Sequence, residues 1–236
     1  MPLSSNAISV VTGGTSGIGL ATVEALARRG ARVFLCGRSA DRIAEVVRTL
    51  DTPRVSGHPC DVADPDAVTR FAGWVRATAG PPRILVNNAG LGHLAPLTEL
   101  TLDQIDETFA VNVRGIFLMT RAFLPDMLQA GHGHIINVAS LAGRNGFVGG
   151  TAYAASKHAV LGFSKSLMLE VRERGVRVSA VCPGSVRTDF FNRAGMPRDD
   201  LDRVLQPEDV AASVLHIIDA PERAIVSEID LRPRVP

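Results

Sequence analysis

The chain's pattern predicts an α/β protein with seven strands in a doubly wound parallel sheet, and three observations carry that reading. Short β-rich apolar runs alternate with longer stretches of helical periodicity. The first run opens straight into a cluster of glycines and then a helical pattern, which is how such sheets begin a ligand crevice. At 236 residues, 46% hydrophobic and 21% charged, the chain suits a single domain, residues 1–236, with one core.

Taken in order, strands are expected at Ala7–Thr12, Arg32–Gly37, Val55–Pro59, Ile84–Asn87, Gly133–Val138, Arg177–Cys182 and Ile225–Leu231. Helices are expected between them at Gly17–Arg29, Asp41–Leu50, Asp64–Ala79, Leu102–Gln129, Tyr153–Arg174 and Pro207–Asp219. Pro65 and Pro207 suit first-turn positions, with Asp64 and Gln206 in front of them; Asp64 is the better cap. This alternation is that of a Rossmann-type sheet. The main irregular segment, about 185–205, follows the sixth strand and is expected to form a lid or substrate loop, because long excursions from strand carboxyl ends serve the ligand site.

Composition excludes several classes. A net charge of +1 argues against a nucleic-acid or membrane-surface partner held by bulk electrostatics. Cys36, Cys60 and Cys182 show no CxxC spacing and each falls at the end of an expected strand, so reduced thiols are expected, and no metal-ligating set is apparent. The start, Met1 to Asn6, lacks the basic-then-apolar pattern of a secretion signal, and no apolar run approaches a membrane span. The expected location is cytoplasmic.

After the first strand comes Thr12-Gly13-Gly14-Thr15-Ser16-Gly17-Ile18-Gly19, leading into Ala21, Val23, Ala25 and Leu26. Glycines at a strand-to-helix turn let the backbone approach a pyrophosphate, and the helix start attracts the anion through its free N–H groups and dipole. The spacing is Gly-x-x-x-Gly-x-Gly rather than GxGxxG, and alone it would also fit a tight turn. An NAD site commonly carries an acid at the end of the second strand, for the ribose hydroxyls. Here that strand ends Cys36-Gly37-Arg38, which leaves room for a 2′-phosphate and offers it a planar guanidinium. NADP is therefore favoured over NAD; the other reading of Arg38 is a solvated loop residue. Asp61, after the third strand, could accept from an adenine amino group.

Further along stand Asn87-Asn88-Ala89-Gly90, Asn112 within a helix, Ser140 after the fifth strand, Tyr153-Ala154-Ala155-Ser156-Lys157, and Pro183-Gly184. With the glycine loop and Asp61-Val62, in that order, these make the sequence resemble the short-chain dehydrogenase/reductase family across nearly its whole length. The resemblance implies a cofactor across the strand carboxyl ends and a tetrad of Asn112, Ser140, Tyr153 and Lys157. It implies cofactor contacts from Gly13, Thr15, Ser16, Gly17, Ile18 and Gly19, from Arg38, Asp61 and Val62, from Asn88, Ala89 and Gly90 along the adenosine ribose, and from Tyr153 and Lys157. Pro183, Gly184, Val186 and Thr188 would contact the nicotinamide end, and Asn112 would anchor a water linking Lys157 to solvent. One departure is the ending Val226-Ser227-Glu228-Ile229-Asp230-Leu231-Arg232-Pro233, where many relatives carry a glycine-rich tail; it resembles that of short NADP-dependent reductases.

The chemistry also follows from the residues. A spacing of four puts Tyr153 and Lys157 on one helix face. A phenol with a pKa near 10 needs its anion stabilised by roughly 3–4 kcal/mol to shuttle protons near neutrality. Lys157 and an oxidised nicotinamide are the available charges, while Ser140 would hold the substrate oxygen near the Tyr153 hydroxyl. The expected function is hydride transfer between NADP(H) and the carbonyl or alcohol carbon of a small molecule, with Tyr153 as acid/base. The competing reading is a silent NADP(H)-binding regulator. Phe147, Phe190, Phe191 and Leu91 suggest a partly apolar pocket or core positions, and His93 and Arg144 receive no role. The helix from Tyr153 is apolar or small on nearly all sides: Val160, Phe163, Leu167 and Val171 suit the sheet, and Ala155, Ala159, Gly162 and Ser166 form a second stripe. A homodimer or homotetramer is expected to cover it.

Overall fold

The structure, a computed structural model, describes residues 6–197 and 203–234. Its strands are β1 (Ile8–Thr12), β2 (Arg32–Gly37), β3 (Val55–Pro59), β4 (Ile84–Asn87), β5 (Gly133–Val138), β6 (Val176–Pro183) and β7 (Glu228–Leu231). All pair in parallel in the order β3-β2-β1-β4-β5-β6-β7. The helices are α1 (Gly17–Arg28), α2 (Ala40–Leu50), α3 (Pro65–Ala79), α4 (Leu102–Phe109), α5 (Gly115–Ala130), α6 (Thr151–Val171), α7 (Phe190–Arg193) and α8 (Pro207–Asp219).

Alternation along each strand fills two cores. Val10, Phe34, Leu85 and Ile135 point to the face covered by α3, α5 and α6, where they meet Phe71, Met119, Phe123 and Leu167. Their neighbours Val11, Leu35, Val86 and Ile136 point to the opposite face, against Val23 and Leu26 of α1 and Val214 and Ile217 of α8. A parallel sheet buried on both faces needs such continuous apolar runs, and those runs are what the sequence displays. The helix starts also behave as read: Asp64 accepts from Asp66 N–H at 2.9 Å, and the Asp209 carboxylate accepts from Gln206 N–H at 2.8 Å.

Three expected elements differ. The single helix Leu102–Gln129 is two, joined by a π-helical turn over Ala110–Arg114, because Asn112 inside that turn bonds the Leu91 backbone instead of facing solvent. The last strand starts at Glu228 instead of Ile225; upstream of it, the lower part of β6 is flanked by the end of α8, whose Ile218 and Ala220 carbonyls accept from Arg177. Within the expected lid, Val186 and Leu205 pair as an isolated parallel bridge that closes the excursion at its base, and α7 lies inside it. The part of that lid at 198–202 lies outside the described residues.

The buried face under α8 carries a polar residue with a consequence for stability. His134 is 3% exposed, its Nε2 lies 2.9 Å from Ser179 Oγ, and among the described residues its Nδ1 has no partner. Burial, with Arg177 nearby, pushes its pKa from the ordinary 6.5 down to about 3. Between those values the unfolded chain binds the extra proton, so stability is present above the unfolded value and is lost as pH falls toward the folded one. His134→Gln can keep the Ser179 bond without titrating. Between pH 7 and pH 5 the unmodified protein should lose about 2 kcal/mol more stability in urea titrations than this variant; equal losses would show that His134 is not a source of acid sensitivity.

Candidate active site

The chain runs β1 to β3 toward one edge of the sheet and β4 to β7 toward the other, so β1 and β4 flank the switch point where a crevice opens at the carboxyl ends. Two loops meet there. Gly13 and Gly17 turn the chain through left-handed backbone, with φ of +63° and +53°. The Thr12 hydroxyl accepts from Asn88 N–H at 3.0 Å and Ala89 N–H at 2.9 Å, while the Asn88 amide donates to the carbonyls of Thr12 and Gly13 at 3.0 and 3.2 Å. Gly19 must be glycine for this packing, since a Cβ there would stand 2.1 Å from the Gly13 oxygen. The Asn88 side chain thus braces the glycine loop, which leaves a ribose contact to its backbone and to Ala89 and Gly90.

The other residues expected to contact a cofactor differ in their surroundings. Thr15 lies beside Gly37, and Ser16 stands in extended backbone at the start of α1, a helix with no acidic residue in its first turn. Ile18 packs into the core under α1, so its contribution to the loop is its backbone. The Arg38 guanidinium, 70% exposed, lies 3.7 Å from Glu107, whose other oxygen is 2.8 Å from His93 Nε2. Asp61 Oδ1 accepts from Ala63 N–H at 2.9 Å, and Val62 is buried against Gly115. Pro183 ends β6, Gly184 N–H donates to the Leu231 carbonyl at 2.8 Å, and Val186 is 6% exposed in the core under α8. Thr188 packs its methyl against Gly17, so the base of the lid reaches back to the glycine loop.

At the other end of the crevice, Ser140, Tyr153, Lys157 and Asn112 converge. Ser140 follows β5, accepts from Ala142 N–H at 3.0 Å and donates to the Pro183 carbonyl at 3.4 Å. Burial pushes the Tyr153 phenol up to about 12, with the nearby Ser140 hydroxyl pulling it back down. Lys157, 5% exposed, donates to the Val138 carbonyl at 2.9 Å and sits 5.7 Å from the Tyr153 ring centre; burial lowers its pKa to about 8. The expected lowering of the phenol by Lys157 is therefore not what this geometry delivers, because the ammonium is turned to a main-chain carbonyl. Both Asn112 amide protons are engaged: Nδ2 donates to Leu91 O at 2.8 Å and Ser156 Oγ at 3.0 Å, and Oδ1 accepts from Leu91 N–H at 2.9 Å. A water held by Asn112 would donate to the second lone pair of Oδ1 or to the main chain, where the π turn breaks the regular helical register.

Aromatic side chains enclose the tyrosine. Phe190 of the lid lies 5.2 Å from the Tyr153 ring and Phe147 lies 6.5 Å away, with Phe191 stacked edge-on against Phe190 at 5.5 Å. His93 and Arg144, left without a role, are engaged by Glu107 and by Glu228 with Asp230. Sequence reasoning missed Glu107 as the neighbour of Arg38, and it missed Ser156, which is fully buried and links Asn112 to the Tyr153 carbonyl. Its signal was available: Ser156 stands three residues after Tyr153, one helical turn on.

Comparison with known proteins places the fold in a family. The family model described as short chain dehydrogenase matches residues 7–198. The chain is 41% identical over 190 residues to a protein of Streptomyces violaceoruber named as a ketoacyl reductase of the granaticin polyketide synthase, covering 79% of this chain and 70% of that one. Among solved structures, a variant of the actinorhodin polyketide ketoreductase with NADPH superposes with a TM-score of 0.89 at 30% identity, covering 99% of this chain and 98% of that one. A metagenomic short-chain oxidoreductase in complex with NADP gives 0.85 at 36% identity, covering 99% and 100%.

The lacing of the two loops is testable by itself. Thr12→Val keeps the shape of the side chain and removes the oxygen that accepts from Asn88 and Ala89. Two part-buried N–H groups then lose their acceptor, at an expected cost of about 1–2 kcal/mol in denaturant unfolding. Amide exchange at Asn88 and Ala89 should accelerate relative to the strand interiors. Unchanged exchange at both positions would show that the hydroxyl does not tie the loops.

Proposed function

We propose that this chain, which belongs to the short chain dehydrogenase family, is an NADP(H)-dependent oxidoreductase that moves hydride to or from the carbonyl or alcohol carbon of a small molecule, with Tyr153 as acid/base. The observation that carries this reading is the convergence of Ser140, Tyr153, Lys157 and Asn112 at the strand ends beside the laced glycine loop. When bound, the nicotinamide supplies or accepts the hydride; the remaining work falls to side chains. Ser140, near enough to the Tyr153 hydroxyl to lower its pKa, can hold a substrate oxygen within reach of that phenol, which donates the proton in reduction and takes it in oxidation. Asn112 fixes the Leu91 backbone to α6 through Ser156, so the loop over the site and the tyrosine's own helix move as one.

The crevice fits a dinucleotide: the left-handed Gly13 and Gly17, the close approach at Gly19 and the start of α1 make an anion cradle that side chains would fill. NADP over NAD is supported by the solved relatives, which hold NADPH or NADP, and by Arg38, whose guanidinium would exchange Glu107 for a 2′-phosphate. A silent NADP(H)-binding regulator is disfavoured, since it would have no use for the full set of four polar groups. Three free, buried cysteines support a reducing, cytoplasmic setting.

The test is to follow NADPH absorbance against a panel of aldehydes, ketones, keto acids and quinones, with alcohols and NADP in reverse. Tyr153→Phe should abolish turnover on the best substrate while leaving cofactor affinity unchanged, and a variant that keeps a substantial fraction of the rate would dismiss the acid/base assignment. NADPH should bind about ten- to a hundredfold more tightly than NADH, and Arg38→Asp should erase the preference; equal affinities in the unmodified protein would refute the NADP reading and leave the hydride chemistry standing.

We also propose that the protein is a homodimer or homotetramer built on α5 and α6. Phe117 is 46% and Leu169 58% exposed, Ala155, Gly162 and Ser166 lie open beside them, and a Cβ at Gly162 would meet nothing. Such an apolar and small-residue face suits another helix. Light scattering should report two or four times the chain mass, with Gly162→Arg dissociating the assembly; a fully active monomer at micromolar concentration would contradict it.

A further inference from the structure

The turn that presents Ser140 is short and weakly self-supported. Leu141–Gly143 make one 3₁₀ turn, closed by Gly143 N–H to Ser140 O and Arg144 N–H to Leu141 O, each at 2.9 Å. Beyond it the chain runs out through exposed Asn145 to Val148. At the hinge between turn and exposed run stands Arg144. Its guanidinium donates through Nε and Nη2 to Asp230 Oδ1 at 3.0 and 2.9 Å, and Nη2 lies 2.5 Å from Glu228 Oε2. Glu228 and Asp230 are two apart on β7, so both carboxylates share one face of the strand and can grip one guanidinium.

This grip connects the serine turn to three other parts of the site. The second Glu228 oxygen is 3.4 Å from Lys165 of α6, two turns beyond Lys157. Asp230 stands opposite Cys182, its register partner on β6, and helps hold that thiol above its ordinary pKa. Gly184, expected at the nicotinamide end, bonds the Leu231 carbonyl and packs against Leu141. From inside, the turn is pressed against α6, since a Cβ at Gly143 would stand 2.7 Å from the Lys157 carbonyl oxygen. The guanidinium holds the turn from outside, and its side chain is only 27% exposed.

We infer that Arg144 is a positioning residue for the reaction: clamped by Glu228 and Asp230, it fixes the Ser140 turn so that the Ser140 hydroxyl meets Tyr153 and the substrate oxygen. This rests on the reading of Ser140 and Tyr153 as the reacting groups. It gives a function to the unusual chain ending, because the clamp is Glu228-Ile229-Asp230 itself. A planar fork bridging two carboxylates is a task lysine performs less well, and displacement of a positioned group by an ångström costs about a hundredfold in rate.

The experiment compares R144M, R144K, D230N, S140A and the double variant S140A/R144M, all first checked for folding by circular dichroism and thermal melting. R144M and D230N should lower kcat about ten- to a hundredfold with the NADPH dissociation constant unchanged, and R144K should recover part of the loss. Because Ser140 pulls the Tyr153 phenol down, its displacement should move the acid limb of alcohol oxidation to higher pH in R144M and D230N, a readout that mere loss of stability would leave alone. In the S140A background, R144M should add little, as the two act through one group. If R144M does not fold, D230N, which leaves Glu228 in place, carries the same expectations. Folded variants with wild-type kcat and an unmoved pH limb would overturn the inference, as would an S140A/R144M rate that falls below S140A by as much as R144M falls below wild type. A fully active S140A would sink the assignment of Ser140, and the inference with it, which is a different result from an inactive S140A beside an active R144M.

Discussion

Everything at the reactive end of the sheet depends on how the ends of β1 and β4 are tied together. They are neighbours in the sheet although two strands separate them in the chain, and their connections leave in opposite directions. A crevice between diverging loops would be wide and mobile unless something crossed it. The crossing is the reciprocal set of bonds between Thr12 and the Asn88-Ala89 segment, with Gly19 allowing α1 to approach the Gly13 carbonyl. With those carbonyls and amides satisfied by one another, the start of α1 is held at a fixed place over the switch point. The same segment continues into Leu91, which Asn112 grips from the π turn. Hydrogen bonds, joined by the main chain through Gly90, therefore lead from the glycine loop to the helix that carries Tyr153.

The second constraint is electrostatic. Tyr153 and Lys157 are withdrawn from water, which favours the neutral form of each and moves the phenol up and the amine down. Ser140 acts against that tendency at the phenol, and the Val138 carbonyl receives the ammonium. Burial thus sets the problem that the neighbouring polar groups solve. Elsewhere in the same face of the sheet, Asn87, Asn137, Thr120 and Ser164 form a ladder of side-chain bonds between β4, β5, α5 and α6. Such a ladder penalises any slip of these strands, because each buried amide would lose its partner.

Most of this was legible in the sequence where the signal is local. Alternating apolar runs gave the strands, Pro65 and Pro207 marked the helix starts, and the glycine loop lies where a strand-to-helix turn was expected. What was not legible arises from contacts between distant positions. Periodicity runs unbroken through 102–129, so nothing local announces the π turn, which exists because Asn112 reaches back to Leu91. Arg38 could be read as a phosphate partner from its place after β2, but Glu107, on a helix far along the chain, could not be read as its neighbour. Tyr153 and Lys157 were correctly placed on one helix face, yet the direction of the ammonium depended on the Val138 carbonyl. Arg144 received no role because its partner Asp230 stands 86 residues further along the sequence.

That last distance has a consequence for how the protein comes into being. Chains are made from the amino end, and local structure gathers as it emerges. The anion cradle needs nothing beyond the NNAG segment to be laced, so its parts are present once β4 has been made. The serine turn follows β5, but the carboxylates that hold its outer end belong to β7, an edge strand paired to β6 alone. During synthesis the nascent chain therefore passes through a long interval in which every residue that laces the glycine loop has been made while the carboxylates that hold the serine turn have not. The order of translation separates the residues of the lacing from those that tether the serine turn, and β7 is the strand that joins them.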